Sequence, residues 1–275
     1  MDALMRRDPG SSEGRSSQTF VNGFARGLAV IESFTDAPDA LSLAEVAVRA
    51  GLDRAVARRM LLTLTELGFV VQTRGRFRLT PRVMRLGYAF LSQANLDGML
   101  RPFLVELTQR LGESISVSVL DGAETVVVCH VTTTIRKTGL LMREGSRWPA
   151  YVVASGRILL AGLPDDEVRS RVKDQVRPLT GKTLATEDAV VQAVQAARRA
   201  GYALVDEELE EGLISVSVPI RNRQGRFIAS LNASSAKGRA SEATMHTVFL
   251  PAMLETSAEI GRVLPEEMLS HQGGI

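Results

Sequence analysis

The sequence predicts an α+β protein in two parts: a small helical module closed by a β-hairpin, and a larger domain mixing helices with a largely antiparallel sheet. Three observations predict it. Residues 20–68 carry helical apolar spacing with paired start and stop signals, β-rich runs flank Thr73-Arg74-Gly75, and beyond residue 100 period-two and helical patterns alternate. With 275 residues, 45% hydrophobic and 23% charged, the chain is an ordinary globular protein of one large or two modest domains.

Residues 1–19, rich in Ser, Gly and Arg, read as a disordered arm and lack the apolar core of a signal peptide. Asn22 is placed to cap a helix over 23–34, where Phe24, Leu28, Ile31 and Phe34 fall near helical spacing. The stretch Thr35–Leu41, with Pro38 and two Asp, reads as a loop. Ser42-Leu43-Ala44-Glu45 has the form of a capping box, opening a short helix over 42–50 that Gly51 stops. Asp53 then caps a helix running to Leu67 and ending at Gly68, with Val56, Met60, Leu64 and Leu67 as an inward stripe and Leu61 beside it. Two short helices about a Gly-containing turn have the grammar of a helix-turn-helix. Phe69–Gln72 and Arg76–Leu79 supply a hairpin, the wing, which completes a module over 20–80.

Charge concentrates in this module. The net charge is only +2, yet residues 49–85 hold nine Arg against Asp53 and Glu66. That is the electrostatic footprint of a nucleic-acid-binding module, although a solvated basic face would carry the same charge. In a helix-turn-helix the first residues of the second helix meet base edges in the major groove. Here these are Arg54, Ala55, Ala57, Arg58 and Arg59, largely off the apolar stripe. Arginine there either donates twice to guanine or clamps phosphate, and the small alanines allow close approach. Arg74, Arg76 and Arg78 on the wing suit phosphate or the minor groove. Any one arginine is readily a plain exposed charge. Helix, turn, helix and basic wing together favour double-stranded DNA as the partner.

Thr80-Pro81 starts a linker helix over 81–96 whose Val83, Leu86, Tyr88, Phe90 and Leu91 offer an apolar surface, either to a second subunit or to the chain's own C-terminal domain. In the domain over 97–265, a helix at 100–111 ends at Gly112. Strands follow at 114–120 and 125–131 across Asp121-Gly122, and helices near 155–162, 165–173 and 187–200. A hairpin pairs 215–220 with 227–233, a helix over 242–263 closes the domain, and 266–275 form a tail. Ser116 and Ser118, Ser215 and Ser217, and Asn232 and Ser234 alternate with apolar residues along three of these strands. If the strands adjoin, one sheet face carries small hydroxyl and amide groups, which satisfy a polar ligand without filling a cavity; a merely solvated face is the alternative.

The inventory for catalysis is thin. His130, His246 and His271 are scattered, and Cys129 and His130 point to opposite faces of any strand that holds both. There is no zinc-ligand spacing, phosphate loop or dinucleotide fingerprint, so neither metal nor cofactor is expected. Thr180-Gly181-Lys182-Thr183 lacks the preceding Gly of a phosphate loop. The single cysteine suits a reducing cytoplasm, and no apolar run is long enough to span a membrane.

FVNGFARGLAVIESF, SLAEVAVRAGLDRAVARRMLLTLTELGFV and RGRFRLTPRVMRLGYAFL resemble the DNA-binding end of the IclR family, and more narrowly its regulators of protocatechuate, 4-hydroxybenzoate and β-ketoadipate metabolism. The run from Gly145 to Ala161 resembles the GxRxPA…SxGRxLLA stretch of that subgroup, and the run from Gly201 to Ile220 the family's effector-domain core. The resemblance implies a GAF-like α/β domain with an effector cavity over its sheet, promoter DNA as partner, a small organic acid as effector, and a homodimer or tetramer. It places Asn232 and Ser234 at effector-contacting positions, and Ser215 where many relatives have Cys. It brings Arg147 and Ala150 into the candidate set, Arg147 either to neutralise a carboxylate or, with equal weight, to bond loop carbonyls or pair with an acid; Asp206, Glu207 and Glu208 read foremost as a solvated turn, with a weak pocket role for Asp206. Trp148 replaces the Leu expected of the subgroup, a change that bears either on pocket shape or on a subunit contact. The second reading is a GAF-type signalling module or enzyme whose basic N-terminal region serves another interaction; the lack of a catalytic segment ranks it below a regulator.

Overall fold

The computed structural model describes residues 20–35, 37, 39–87, 96–133 and 142–264. The expected arm, the tail and residues 88–95 of the expected linker helix lie outside the described residues. The chain divides into two compact units between residues 90 and 91.

In the first unit, helix α1 (Asn22–Glu32) starts one residue earlier and ends two earlier than its spacing suggests. Asn22 is not its cap: Val21 holds that position, with no side-chain cap bond. A two-residue strand β1 (Leu41–Ser42) precedes α2 (Leu43–Arg49), and the Ser42–Glu45 capping box is fully formed, the Ser42 amide donating to Glu45 Oε2 over 2.6 Å. In α3 (Arg54–Glu66), Asp53 Oδ1 accepts from the amides of Ala55 and Val56, satisfying two of the helix's orphan donors. Strands β2 (Val70–Thr73) and β3 (Arg76–Leu79) form the hairpin, and β1 adds to its free edge in the order β1-β3-β2. Val30, Leu41, Val46, Leu61, Leu64, Val70 and Phe77 make the core that locks helices to hairpin. One stripe residue is not inward: Leu67 is half exposed as the C-cap, whereas Leu61, read as beside the stripe, is fully buried. After Thr80 the chain enters a 3-10 turn, Pro81–Val83, and residues 84–87 are helical.

The second unit is built on a six-stranded antiparallel sheet. Helix α4 (Leu96–Leu111) leads into β4 (Ser114–Asp121) and β5 (Glu124–Val131), followed by the short edge strand β6 (Arg147–Pro149). Three helices come next, α5 (Ala154–Leu160), α6 (Asp165–Val172) and α7 (Glu187–Ala200). Strands β7 (Ala203–Asp206), β8 (Leu213–Arg221) and β9 (Phe227–Ala236) complete the sheet, in the order β6-β5-β4-β9-β8-β7. The expected closing helix is interrupted: Glu242–Thr244 and a π-helical turn, Met245–Phe249, lead into α8 (Leu250–Val263).

The two faces of this sheet differ. On one, Ile115, Val117, Ile214, Val216, Val218 and Leu231 meet Leu100, Leu104 and Leu107 of α4 and Met253 and Ile260 of α8, a dry apolar layer. The alternate residues of β4, β8 and β9 are the serines and asparagine, and they face α5, every residue of which is buried. Gly156 permits this: a Cβ there would collide with the Ala150 backbone.

Candidate functional site

Arg54, Ala55, Arg58 and Arg59 lie exposed along the first turns of α3, and none of these arginines joins an ion pair among the described residues. Ala57 does not belong with them. It is fully buried against the module's core, one position round the helix from the face its neighbours present. On the hairpin, Arg74 and Gly75 both have positive φ, 50° and 77°, as the two central residues of a tight turn of type I′ require. An arginine held there projects its guanidinium from the wing tip at the cost of about 1 kcal/mol or more of backbone strain. Arg78 is exposed on β3. Arg76 is engaged within the protein: its Nε donates to Ala40 O over 2.8 Å and its terminal nitrogen reaches Glu45 Oε2 at 3.3 Å, tying the wing to the α2 cap. Arg49 donates to the carbonyls of Ser33 and Thr35, and Arg82 stacks over Phe69. The basic stretch thus separates into arginines that brace the module and a presented set, Arg54, Arg58, Arg59, Arg74 and Arg78.

In the second unit, strand register converts the alternation into rungs across the sheet. Ser114, Ser234 and Ser215 align on β4, β9 and β8, as do His130, Ser116, Asn232 and Ser217 on β5, β4, β9 and β8. Over these rungs lies a narrow, partly open cavity. Its floor is Ser114, Ser116, Ser118, Ser215, Asn232 and Ser234, with His130 and Val127 from β5. Val152, Val153 and Ser155, at the entrance to α5, form one wall. Val205, Leu209 and Leu213 form another, and Met142 and Trp148 the side over β6. Asn232 Nδ2 donates to Ser234 Oγ over 3.0 Å, which fixes the amide orientation. The lining therefore supplies short hydroxyl donors and acceptors on the floor and an apolar girdle above, the chemistry a flat, mostly apolar molecule with a polar end needs.

Five of the nine sequence-proposed cavity residues line it: Ser116, Ser118, Ser215, Asn232 and Ser234. Four do not. Ser217 shares the face but is fully buried, its hydroxyl donating to Leu231 O. Ala150 is buried in the second core. Arg147 turns away to bind Asp121 and Glu124, at 2.5 and 2.9 Å. Asp206 pairs with Lys182 and Lys237, both at 3.0 Å, outside the cavity. Glu207 joins that cluster, its carboxyl lowered to about 2 by hydrogen bonds from Lys182, the Gly212 amide and Lys237. Glu208, read as part of a solvated turn, is buried instead and forms a two-pronged pair with Arg157 of α5, at 2.7 and 2.8 Å. This pair fixes the loop that carries Leu209.

His130 and Ser114 line the cavity without having been proposed for it, and Trp148, read as bearing on pocket shape or on a subunit contact, lines it as well. The signal for the first two was available: Ser114 continues the serine alternation, and His130 must face away from Cys129. Cys129 faces the apolar core, where burial pushes its thiol up to about 12. Its Sγ lies near Asp97 and Glu144, a three-ligand grouping by geometry, but Arg101 donates to both carboxylates and holds Asp97 as an anion. That cluster is already charge-paired by its own arginine.

Comparisons with known proteins agree with this geometry. Residues 24–74 match the family model of the IclR helix-turn-helix domain, and residues 88–262 that of the bacterial transcriptional regulator IclR C-terminal domain. The Pca regulon regulatory protein of Pseudomonas putida is 33% identical over 242 residues, spanning 88% of this chain and 83% of that protein. The p-hydroxybenzoate hydroxylase transcriptional activator of Acinetobacter baylyi is 34% identical, spanning 92% and 95%. A putative transcriptional regulator from Rhodococcus sp. RHA1 superposes with a TM-score of 0.74 at 41% identity, over 89% and 98% of the two chains. An IclR homolog from Microbacterium hydrocarbonoxydans, solved with 4-hydroxybenzoate, superposes with a TM-score of 0.71 at 24% identity, over 87% and 98%. These relatives and families are regulators rather than enzymes. The chain belongs to the IclR family of DNA-binding transcriptional regulators, among relatives that govern aromatic-acid catabolism.

Proposed function

We propose that this regulator senses a small aromatic carboxylic acid of the protocatechuate or 4-hydroxybenzoate kind, and that the acid changes its affinity for promoter DNA. The observation that carries this reading is the serine- and asparagine-floored cavity with its apolar girdle. The hydroxyls receive the carboxylate as neutral donors, and valines and Met142 flank the ring. The complex of the Microbacterium homolog with 4-hydroxybenzoate supports the same class of ligand. Titrating the full-length protein calorimetrically with 4-hydroxybenzoate, protocatechuate and β-ketoadipate tests it. The reading expects an aromatic acid to bind and to raise the melting temperature in a concentration-dependent way. Heat from none of the three would overturn the effector assignment and leave the DNA-binding assignment standing.

On the DNA side, Arg54, Arg58 and Arg59 address the major groove while Arg74 and Arg78 reach phosphate or the minor groove beside it. The protein acts as a homodimer: α1 presents Phe24 and Leu28 and the residues just before it are Phe20 and Val21, all four exposed, an apolar patch that a second copy would cover. Sedimentation of the full-length chain at micromolar concentration should give twice the monomer mass.

A further inference from the structure

Within that reading, we infer that the indole N–H of Trp148 is the effector-orienting donor, giving its hydrogen bond to an oxygen on the aromatic ring while the carboxylate lies on the serine floor. This rests on the cavity being the aromatic-acid site, and it adds a residue and an orientation to it.

Trp148 lines the cavity, and its Nε1 is buried with no hydrogen-bond acceptor among the described residues. Buried tryptophans ordinarily find a partner for this group, because leaving a donor desolvated is costly. The residue is also held in place. Its backbone pairs with Thr125 of β5, and Thr125 Oγ1 approaches its carbonyl at 3.4 Å. Arg147, one residue before, is anchored to Asp121 and Glu124, and Pro149 follows. The Trp148 backbone is therefore fixed, and its indole packs against the buried cluster that includes Tyr151, Val152 and Val205.

The position opposite the floor decides which ligand atom it serves. Strand β6 lies two places from β4, roughly 10 Å across the sheet. A carboxylate has about four lone-pair sites and is served by several donors, which Ser116, Ser118, Asn232 and Ser234 together provide. The indole offers one donor and no acceptor, which matches a single phenolic oxygen at the far end of the ring.

Trp148 is the sole tryptophan of the chain, so indole-¹⁵N labelling of the full-length protein gives one indole resonance. We would titrate with 4-hydroxybenzoate, protocatechuate and benzoate, the last lacking a ring oxygen, and follow binding by calorimetry alongside. The expected result is a downfield, exchange-protected indole resonance with the two hydroxylated acids and little change with benzoate. Trp148→Phe, which keeps the ring and removes the donor, should weaken 4-hydroxybenzoate about tenfold and benzoate by much less. Heat of binding with an unmoved indole resonance, or equal weakening of both acids in Trp148→Phe, would overturn the inference while the aromatic-acid reading survives. No heat from any acid would overturn both.

Discussion

At the residue scale, the arginines of the N-terminal module have different roles although they look alike in sequence. Arg49, Arg76 and Arg82 brace the fold through carbonyls, Glu45 and Phe69, whereas Arg58 and Arg59 stand exposed with no ion pair among the described residues. Arg58→Ala and Arg59→Ala should each weaken promoter binding without lowering the melting temperature. A phosphate contact would show as a salt slope reduced by about one, and a base contact as a loss of roughly 1–3 kcal/mol confined to the cognate sequence. Anisotropy titrations at several salt concentrations distinguish the two. Arg74→Asn should act in opposite directions on stability and binding. Asn tolerates the left-handed backbone better, so stability rises by up to about 1 kcal/mol while DNA affinity falls. Ala57 shows where residue-level reading ran out. Its neighbours on both sides along the chain were assigned correctly to inside or outside, but a helical stripe wide enough to bury Val56 and Leu61 also sweeps in the residue between their rows. For Arg147 it is the alternative of pairing with an acid that the structure bears out, but which acids was not legible: Asp121 and Glu124 lie more than twenty residues away and meet it only through strand pairing.

At the element scale, local grammar was read well and nonlocal pairing was not. The Ser42 and Asp53 caps, the turn at Gly122 and the helix stop at Gly201 each depend on residues within a few positions, and all are formed. The short strands β1, β6 and β7 have no periodicity long enough to see, and each exists because a longer strand offers it an edge. The serine face was visible because alternation is local, but its meaning depended on β4, β9 and β8 being neighbours in that order. Helix α5 seals one side of that face and tolerates little change. Gly156→Ala places a methyl against the Ala150 backbone and should cost about 1–3 kcal/mol by overpacking, read as a lowered denaturant midpoint. Because Val152, Val153 and Ser155 line the cavity beside it, the same substitution should weaken aromatic-acid binding, while DNA binding by the unliganded protein stays nearly unchanged.

At the scale of the whole molecule, the two units divide the work. One presents cationic groups on a rigid helix-and-hairpin scaffold, and the other encloses a cavity between a polar sheet face and a buried helix. That the chain splits into a basic N-terminal unit and a larger mixed α/β unit was legible from the uneven distribution of arginine and from the change in periodicity near residue 100. The cavity lining was only half legible, since five of the nine residues proposed for it are there and the walls come from segments with no pattern of their own. The coupling proposed between acid and DNA is a free energy and so is reciprocal: whatever factor the acid applied to DNA affinity, DNA would apply to acid affinity. The most direct test is therefore a promoter-DNA titration of the full-length protein with and without saturating 4-hydroxybenzoate or protocatechuate, repeated as an acid titration with and without DNA. The expected result is a change of roughly 5–150-fold in one direction or the other, equal in the two halves of the cycle. An acid that binds in the cavity and leaves DNA affinity unchanged would contradict it.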